Sequence, residues 1–303
     1  MDLRFLAAHL RIGAYWLLRR VVRRAGVVGR QADMVSVEKW AMWDSAIEVD
    51  VTEGAALPTA HALIAAAIED TEALCDLGRG DAEIHAVNLA QGTPVKVTRR
   101  MSSLLRSALW AARMTAGEVN PLADNFSEDD SIPPVHPTPT FEDVQLDGDV
   151  VYAPWGASFD ITGVAKADTV DRAAQTVAAE LQCGVAVRIG DVLATAGHAP
   201  AGGWQIPVPG GEDVELANGT AIATAHAAEP ASWQPHQDRP STEWAQVSVI
   251  ADDAVWAYAA SLAALTRGIS AIKWVEQQEL RARLVDRSGR VYTTENWFGP
   301  DAA

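Results

Sequence analysis

The segment Ser158–Arg172 (SFDITGVAKADTVDR) gathers Asp160, Lys166, Asp168 and Asp171 around a Thr162-Gly163 step. An apolar strand ending at Asp160, a small-residue turn, and a helix opening at Ala165-Lys166 are expected. At a helix start the first backbone N–H groups lack intrahelical partners and the dipole favours an anion. A nucleotide phosphate can sit there, with a mobile ammonium beside it. The same pattern fits an ordinary strand–turn–helix connection with a surface lysine, since one glycine turn is a weak motif.

Other chemistry is sparse. Cys75 and Cys183 lie in apolar contexts at unrelated spacing, which gives neither a disulfide framework nor a metal motif. The seven histidines form no HxxxH or HxH pair, so a zinc site is not expected. A net charge of −16 argues against nucleic acid, which needs clustered Lys and Arg. It leaves room for a nucleotide, which needs only local positive potential.

Around these residues the chain reads as mixed α and β. With 303 residues and 49% apolar content it can bury a large core. Residues 41–52 alternate as a strand. Pro58–Leu74 and Val97–Met114 carry Ala and Leu at helical spacing, and 165–182 reads as a third helix. Residues 121–156 are rich in Pro and acids and contain no Lys or Arg. They read as an exposed excursion with one strand near Val150–Tyr152. From 185 to 297 strands dominate, interrupted by a helix over Val255–Leu265. Hairpin strands beside long helices predict an α+β domain rather than a doubly wound sheet.

Residues 1–30 stand apart as an arm. Seven arginines and one acid are interleaved there with Leu, Val, Tyr15 and Trp16, a pattern that suits a basic amphipathic helix. Such a helix can lie on an anionic membrane surface. Equally, it can dock on an acidic protein surface. The longest uncharged run, Ile12–Leu18, is too short to span a bilayer, so cytoplasmic residence is expected, with the arm as a means of membrane association.

Seven segments, in order, resemble the FAD:protein FMN transferase (ApbE-type) family. FDITGVAKADTVDRA (159–173) is similar to that family's LDLGGIAKGYAVDRA signature. AEIHAVN (82–88), TAGEVNPLA (115–123), VAVRIGDVLATAG (185–197), LANGTAIATA (216–225), VSVIADDAVWAYAASLAAL (247–265) and RARLVDRSGRVYTTENW (281–297) match the remaining landmarks. The resemblance spans residues 38–298 and implies a single domain of antiparallel sheets with flanking helices.

The resemblance also implies a chemistry: binding of FAD, Mg²⁺ on the pyrophosphate, and transfer of FMN to a Thr or Ser hydroxyl of an acceptor or redox protein. By position it implies cofactor contacts from Met42, Glu83, Val119, Asn120, Asp160, Gly163 and Lys166. The family's metal-binding Asp and Thr fall on Tyr258 and Leu262, which supply no carboxylate and no aliphatic hydroxyl. Asp252 and Asp253 are the substitutes nearest in sequence. Trp43 and Asp44 replace a Gly-Thr pair, and the HIIDPRTGRP loop is replaced by residues 232–244. A divergent member with weak or lost transfer is expected, or alternatively a ligand-free partner protein of a membrane-associated redox complex.

Overall fold

In a computed structural model the chain divides into two compact units, residues 1–32 and 33–303. The structure describes residues 35–123, 138–227 and 243–298. The arm therefore lies outside the described residues, as does most of the 232–244 replacement loop.

The fold opens with a hairpin, β1 (Ser36–Met42) and β2 (Ser45–Val51), then helices α1 (Leu57–Cys75) and α2 (Ile84–Asn88). Strand β3 (Val95–Lys96), helix α3 (Arg99–Met114), and strands β4 (Gln145–Asp147) and β5 (Val150–Tyr152) follow, then α4 (Thr162–Leu181). Next come β6 (Val185–Ile189), β7 (Val192–Ala196), β8 (Trp204–Ile206), β9 (Val214–Leu216), β10 (Ala221–His226) and β11 (Trp244–Ala251). Helices α5 (Ala254–Thr266) and α6 (Ser270–Gln277) and the hairpin β12 (Arg281–Asp286) and β13 (Val291–Thr293) complete it. Eight strands form one sheet in the order β1-β2-β6-β7-β10-β11-β12-β13, with every pairing antiparallel. The α+β expectation holds.

Both faces of the sheet are covered. Ile47, Val49 and Val51 of β2, with Val185, Val187 and Ile189 of β6, point into the main core under α1, α3, α4 and α5. The alternate positions Ala186, Leu193, Ile222 and Ile250 face a second core with the β8–β9 hairpin and Trp297. The period-2 pattern thus serves two apolar layers, which is why these strands read as nearly continuous apolar runs.

Local physics accounts for the helices. α1 starts with Pro58 in its first turn and buries Ala60, Ile64, Ile68, Thr71 and Cys75, three or four residues apart. α3 is capped by Thr98, whose hydroxyl accepts from the Met101 N–H. α5 is so rich in alanine that it enters the core between α4 and strands β10 and β11. Asp253 caps it by accepting from the Trp256 N–H, and the Asp171 carboxylate accepts from the Ala254 N–H at 2.7 Å.

The structure differs from the sequence expectation in four places. The strand expected over 41–52 is a hairpin, because Trp43 and Asp44 both adopt positive φ, near 50°, and turn the chain. No strand ends at Asp160 to run into α4. Phe159 makes only an isolated bridge to Leu122, and its N–H and C=O are taken by the Asn88 side chain at 2.7 and 3.1 Å. α4 begins at Thr162, so Gly163 lies inside its first turn. Helix α6 appears where only strands were expected.

Among the buried polar atoms left without a hydrogen bond, one belongs to a carboxylate. Asp50 of β2 lies beside Ala186 on the second-core face, and its Oδ1 is buried without a hydrogen-bond partner among the described residues. Desolvation, with help from Glu48, pushes its carboxyl up to about 6 despite Lys39 and Arg188. An acid raised in the folded state contributes most below its unfolded pKa, and that contribution is lost as pH rises towards 6. Asp50→Asn should therefore match the parent near pH 4 and be more stable above pH 6, by on the order of 2 kcal/mol. Chemical denaturation at both pH values checks this; an equal difference at both removes ionisation as the cause.

Candidate active site

The start of α4 forms one wall of a cleft of about 310 Å³. Gly163 and Lys166 lie on that wall. The β6–β7 turn (Ile189 to Val192), the end of β10 (Thr224 to His226), Ser45, and Tyr258, Ser261 and Leu262 of α5 complete the lining. The site thus sits where sheet turns and two helices converge.

Lys166 is held from the β1–β2 turn. Its Nζ donates to the Trp43 carbonyl at 2.8 Å and to Ser45 Oγ at 2.9 Å, and stands 4.9 Å from the centre of the Trp43 ring. Burial lowers its pKa from the usual lysine value, against the raising pull of Asp44, Asp76 and Glu72. An ammonium has three donors, so two bonds leave one N–H for a ligand.

Tyr258 faces Lys166 from α5. Its ring presses on α4 so closely that a Cβ at Gly163 would overlap the phenol oxygen and stand 2.5 Å from Cζ. Only glycine fits there. Burial, with the Asp160 carboxylate nearby, pushes the phenol up to about 12, so it stays neutral and protonated. Its hydroxyl has no hydrogen-bond partner among the described residues and is available as a donor. Ser261 is already committed, donating to the Tyr258 carbonyl at 2.9 Å.

The remaining sequence-derived positions lie elsewhere. The Asp160 carboxylate accepts from the Thr162 N–H at 3.0 Å and so lies at the start of α4, outside the cleft lining. Both Glu83 oxygens are engaged by Thr98, through its N–H and its hydroxyl. Asn120 accepts from the Leu122 N–H, the Val119 N–H donates to Thr115 Oγ1, and Met42 packs against the main core. Asp253 faces a different depression, shared with Asp168, Asp171, Arg106 and Trp110. Ser45 and Ser261 escaped the sequence reading. Ser45 could have been found only by recognising the hairpin turn, and Ser261 by its place one turn along the helix from Tyr258.

The donors around the cleft do not suit Mg²⁺, which demands several hard oxygen ligands in near-octahedral geometry. Tyr258 is a protonated phenol, Leu262 has no oxygen, and Ser261 offers only a neutral hydroxyl that is turned to the Tyr258 carbonyl. Asp191 is mostly exposed on the rim, 3.8 Å from His226. Among the described residues, no group of three or more His, Cys, Asp or Glu could hold a metal. No helix among them is long and apolar enough to cross a membrane.

The model of the ApbE family matches residues 43–284. The fold is similar to that of the flavinyl transferase ApbE of Pseudomonas stutzeri in its apo form, with a TM-score of 0.76 and 18% identity over 90% of this chain and 100% of that one. It is also similar to the apbe protein of Thermotoga maritima, with a TM-score of 0.70 and 17% identity over 88% and 100% of the two chains. For the flavin transferase ApbE of Vibrio cholerae the values are 0.68 and 15% over 87% and 99%. None of the curated protein sequences matches the chain.

The contact between Tyr258 and Gly163 gives a test of the site's packing. Gly163→Ala should cost about 1–3 kcal/mol by overpacking. Combined with Tyr258→Ala, which clears the space, it should cost much less than the sum of the two single changes. Denaturant unfolding of the four proteins measures the coupling, expected at roughly 1 kcal/mol or more. Additive effects would mean that the ring yields freely.

Proposed function

The chain belongs to the ApbE family, and from that premise we propose that its cleft binds FAD or a related flavin nucleotide while Mg²⁺-dependent transfer of FMN to a Thr or Ser hydroxyl is weak or lost. The carrying observation is the pairing of Lys166, at the start of α4, with Tyr258 and Leu262 across the cleft. The first supplies positive charge for a phosphate. The other two stand where an oxygen pair would be needed for a metal.

The residues present fit a flavin nucleotide. Ile189, Val192 and Leu262 offer apolar wall, while Lys166, Tyr258 and Ser45 offer convergent donors, the usual make-up of a small-molecule pocket. When bound, a flavin nucleotide supplies a planar ring and a phosphate. The chain's own part is to orient that phosphate with the Lys166 ammonium and to donate a neutral hydrogen bond from Tyr258. Met42, Glu83, Val119, Asn120 and Asp160 belong to this reading as supports of the site rather than as groups lining the cleft. An acceptor or redox protein is the corresponding partner, and the arm of residues 1–30 is the proposed means of reaching a membrane surface.

A second reading has one specific observation in its favour. Two of the three Lys166 N–H groups are already taken within the chain, by Trp43 and Ser45, which suits a partner protein of a redox complex that needs no nucleotide.

Given FAD, Mg²⁺ and an FMN-acceptor domain, transfer should run far below that of a family member with an intact metal site. Removing charge stabilisation from a transferring phosphoryl group costs several kcal/mol, and each 1.36 kcal/mol is about tenfold in rate. Mass spectrometry of the acceptor measures it. The double change Tyr258→Asp with Leu262→Thr asks whether the pocket is otherwise competent, and recovered transfer would identify a recently disabled enzyme. Robust transfer by the unmodified chain would overturn the proposal.

A further inference from the structure

Ser45, the first residue of β2, and Lys166, near the start of α4, line the cleft together, with Oγ 2.9 Å from Nζ. An activated nucleophile and its base lie within roughly 2.6–3.2 Å of each other, and a third group orients the base. Here the third group is the Trp43 carbonyl, 2.8 Å from Nζ, while the Trp43 ring flanks the amine. No carboxylate forms an ion pair with Lys166 among the described residues. Asp44 in the β1–β2 turn, with Glu72 and Asp76 at the end of α1, acts on it from further off, and burial outweighs all three in lowering its pKa. From α5 it faces Tyr258, a neutral phenol, and the lining also holds Asp191 and His226.

We propose that Ser45 and Lys166 are a nucleophile and its general base, and that the pair hydrolyses a neutral, short-chain carboxylic ester in this cleft. The proposal goes beyond the flavin reading and stands without it.

A neutral lysine has two N–H groups and one lone pair. One N–H stays on the Trp43 carbonyl, and the lone pair meets Ser45 Oγ, whose proton otherwise turns to that same carbonyl at 3.2 Å. Ser45 Oγ attacks the ester carbonyl carbon while its proton passes to Lys166. The carbonyl oxygen takes the electron pair and becomes an oxyanion. Tyr258 is the donor for it: its phenol oxygen lies against Gly163, three residues before Lys166 on one face of α4. As the oxyanion collapses, the bond to the alcohol oxygen breaks and the Lys166 ammonium protonates that oxygen. A water then loses a proton to Lys166 and attacks the acyl group on Ser45. Lys166 returns the proton to Ser45 Oγ as the carboxylic acid leaves. Ile189, Val192 and Leu262 give a short acyl chain an apolar wall, and the carboxylates of Asp44 and Asp191 disfavour an acidic ester.

Hydrolysis of p-nitrophenyl acetate by the full chain, with labelling by a fluorophosphonate probe read by mass spectrometry, tests this. The label should fall on Ser45 alone, and Ser45→Ala should remove it and lower kcat/KM by about 100-fold or more. Lys166→Arg keeps a cation that does not give up its proton and should lower kcat/KM by about 100-fold. The parent's rate should rise with pH and level off below the ordinary lysine value of about 10.4. Tyr258→Phe keeps the ring packed on Gly163 and should lower kcat several-fold with KM little changed, a check that does not depend on how Lys166→Arg folds. Equal rates in the parent and Ser45→Ala, or a label on another residue, would overturn the nucleophile, and an unchanged rate in Lys166→Arg would overturn the base. Flavin binding without ester hydrolysis removes this proposal and leaves the flavin reading in place; hydrolysis without flavin binding does the reverse.

Discussion

An ammonium taken half out of water must find oxygen for its protons, and the architecture around Lys166 is organised by that requirement. The oxygens come from a turn 121 to 123 residues earlier in the chain. To present them, Trp43 and Asp44 both adopt the left-handed conformation, which costs a residue with a Cβ roughly 1–2 kcal/mol. The cost is offset locally. The Trp43 side chain is buried in the main core, Ser45 Oγ donates to its carbonyl at 3.2 Å, and the Lys166 charge lies over its ring. Strain held in place by so many partners marks a position whose geometry matters.

The same site fixes how closely the helices can approach. α5 buries Ala257, Ala260, Ala263 and Ala264, and side chains this small let it lie between α4 and the sheet. Tyr258 is the large side chain that α5 presses on the start of α4, and Gly163 is the complementary absence there. The Asp171 carboxylate ties the start of α5 to α4 from the other side, and desolvation pushes its carboxyl up to about 7. Two contacts, one steric and one polar, thus set the relation between the helix that offers charge and the helix that closes the cleft.

Much of this was legible in the sequence because periodicity reports burial directly. α1, α3 and α5 lie within two residues of their expected bounds, and the antiparallel sheet follows from runs of short strands. The β1–β2 turn was not legible. Trp-Asp carries none of the Gly or Asn signal that marks a turn with two positive φ values. The α4 entry misled for a related reason: apolar residues before Asp160 read as a strand, yet the backbone of Phe159 pairs with the Asn88 side chain instead of a neighbouring strand. As for the site, Gly163, Lys166, Tyr258 and Leu262 were singled out and do line the cleft. Ser45 and Ser261 depend on tertiary placement that a single sequence does not encode locally.

The fate of the acidic residues explains why Lys166 bears so much of the cleft's electrostatics. Asp253 and Asp171 serve the start of α5, Glu83 serves Thr98 at the start of α3, and Asp286 gathers the Ser288 and Arg290 N–H groups of a turn. These carboxylates do backbone work, satisfying donors that helix and turn geometry would otherwise leave unpaired. Carboxylates bound in this way are not free to gather around a cation. A chain with a net charge of −16 therefore has acids in abundance, and still its described residues offer Mg²⁺ no set of them at the cleft. What remains for an anion is short-ranged: one ammonium, one neutral hydroxyl and the start of one helix.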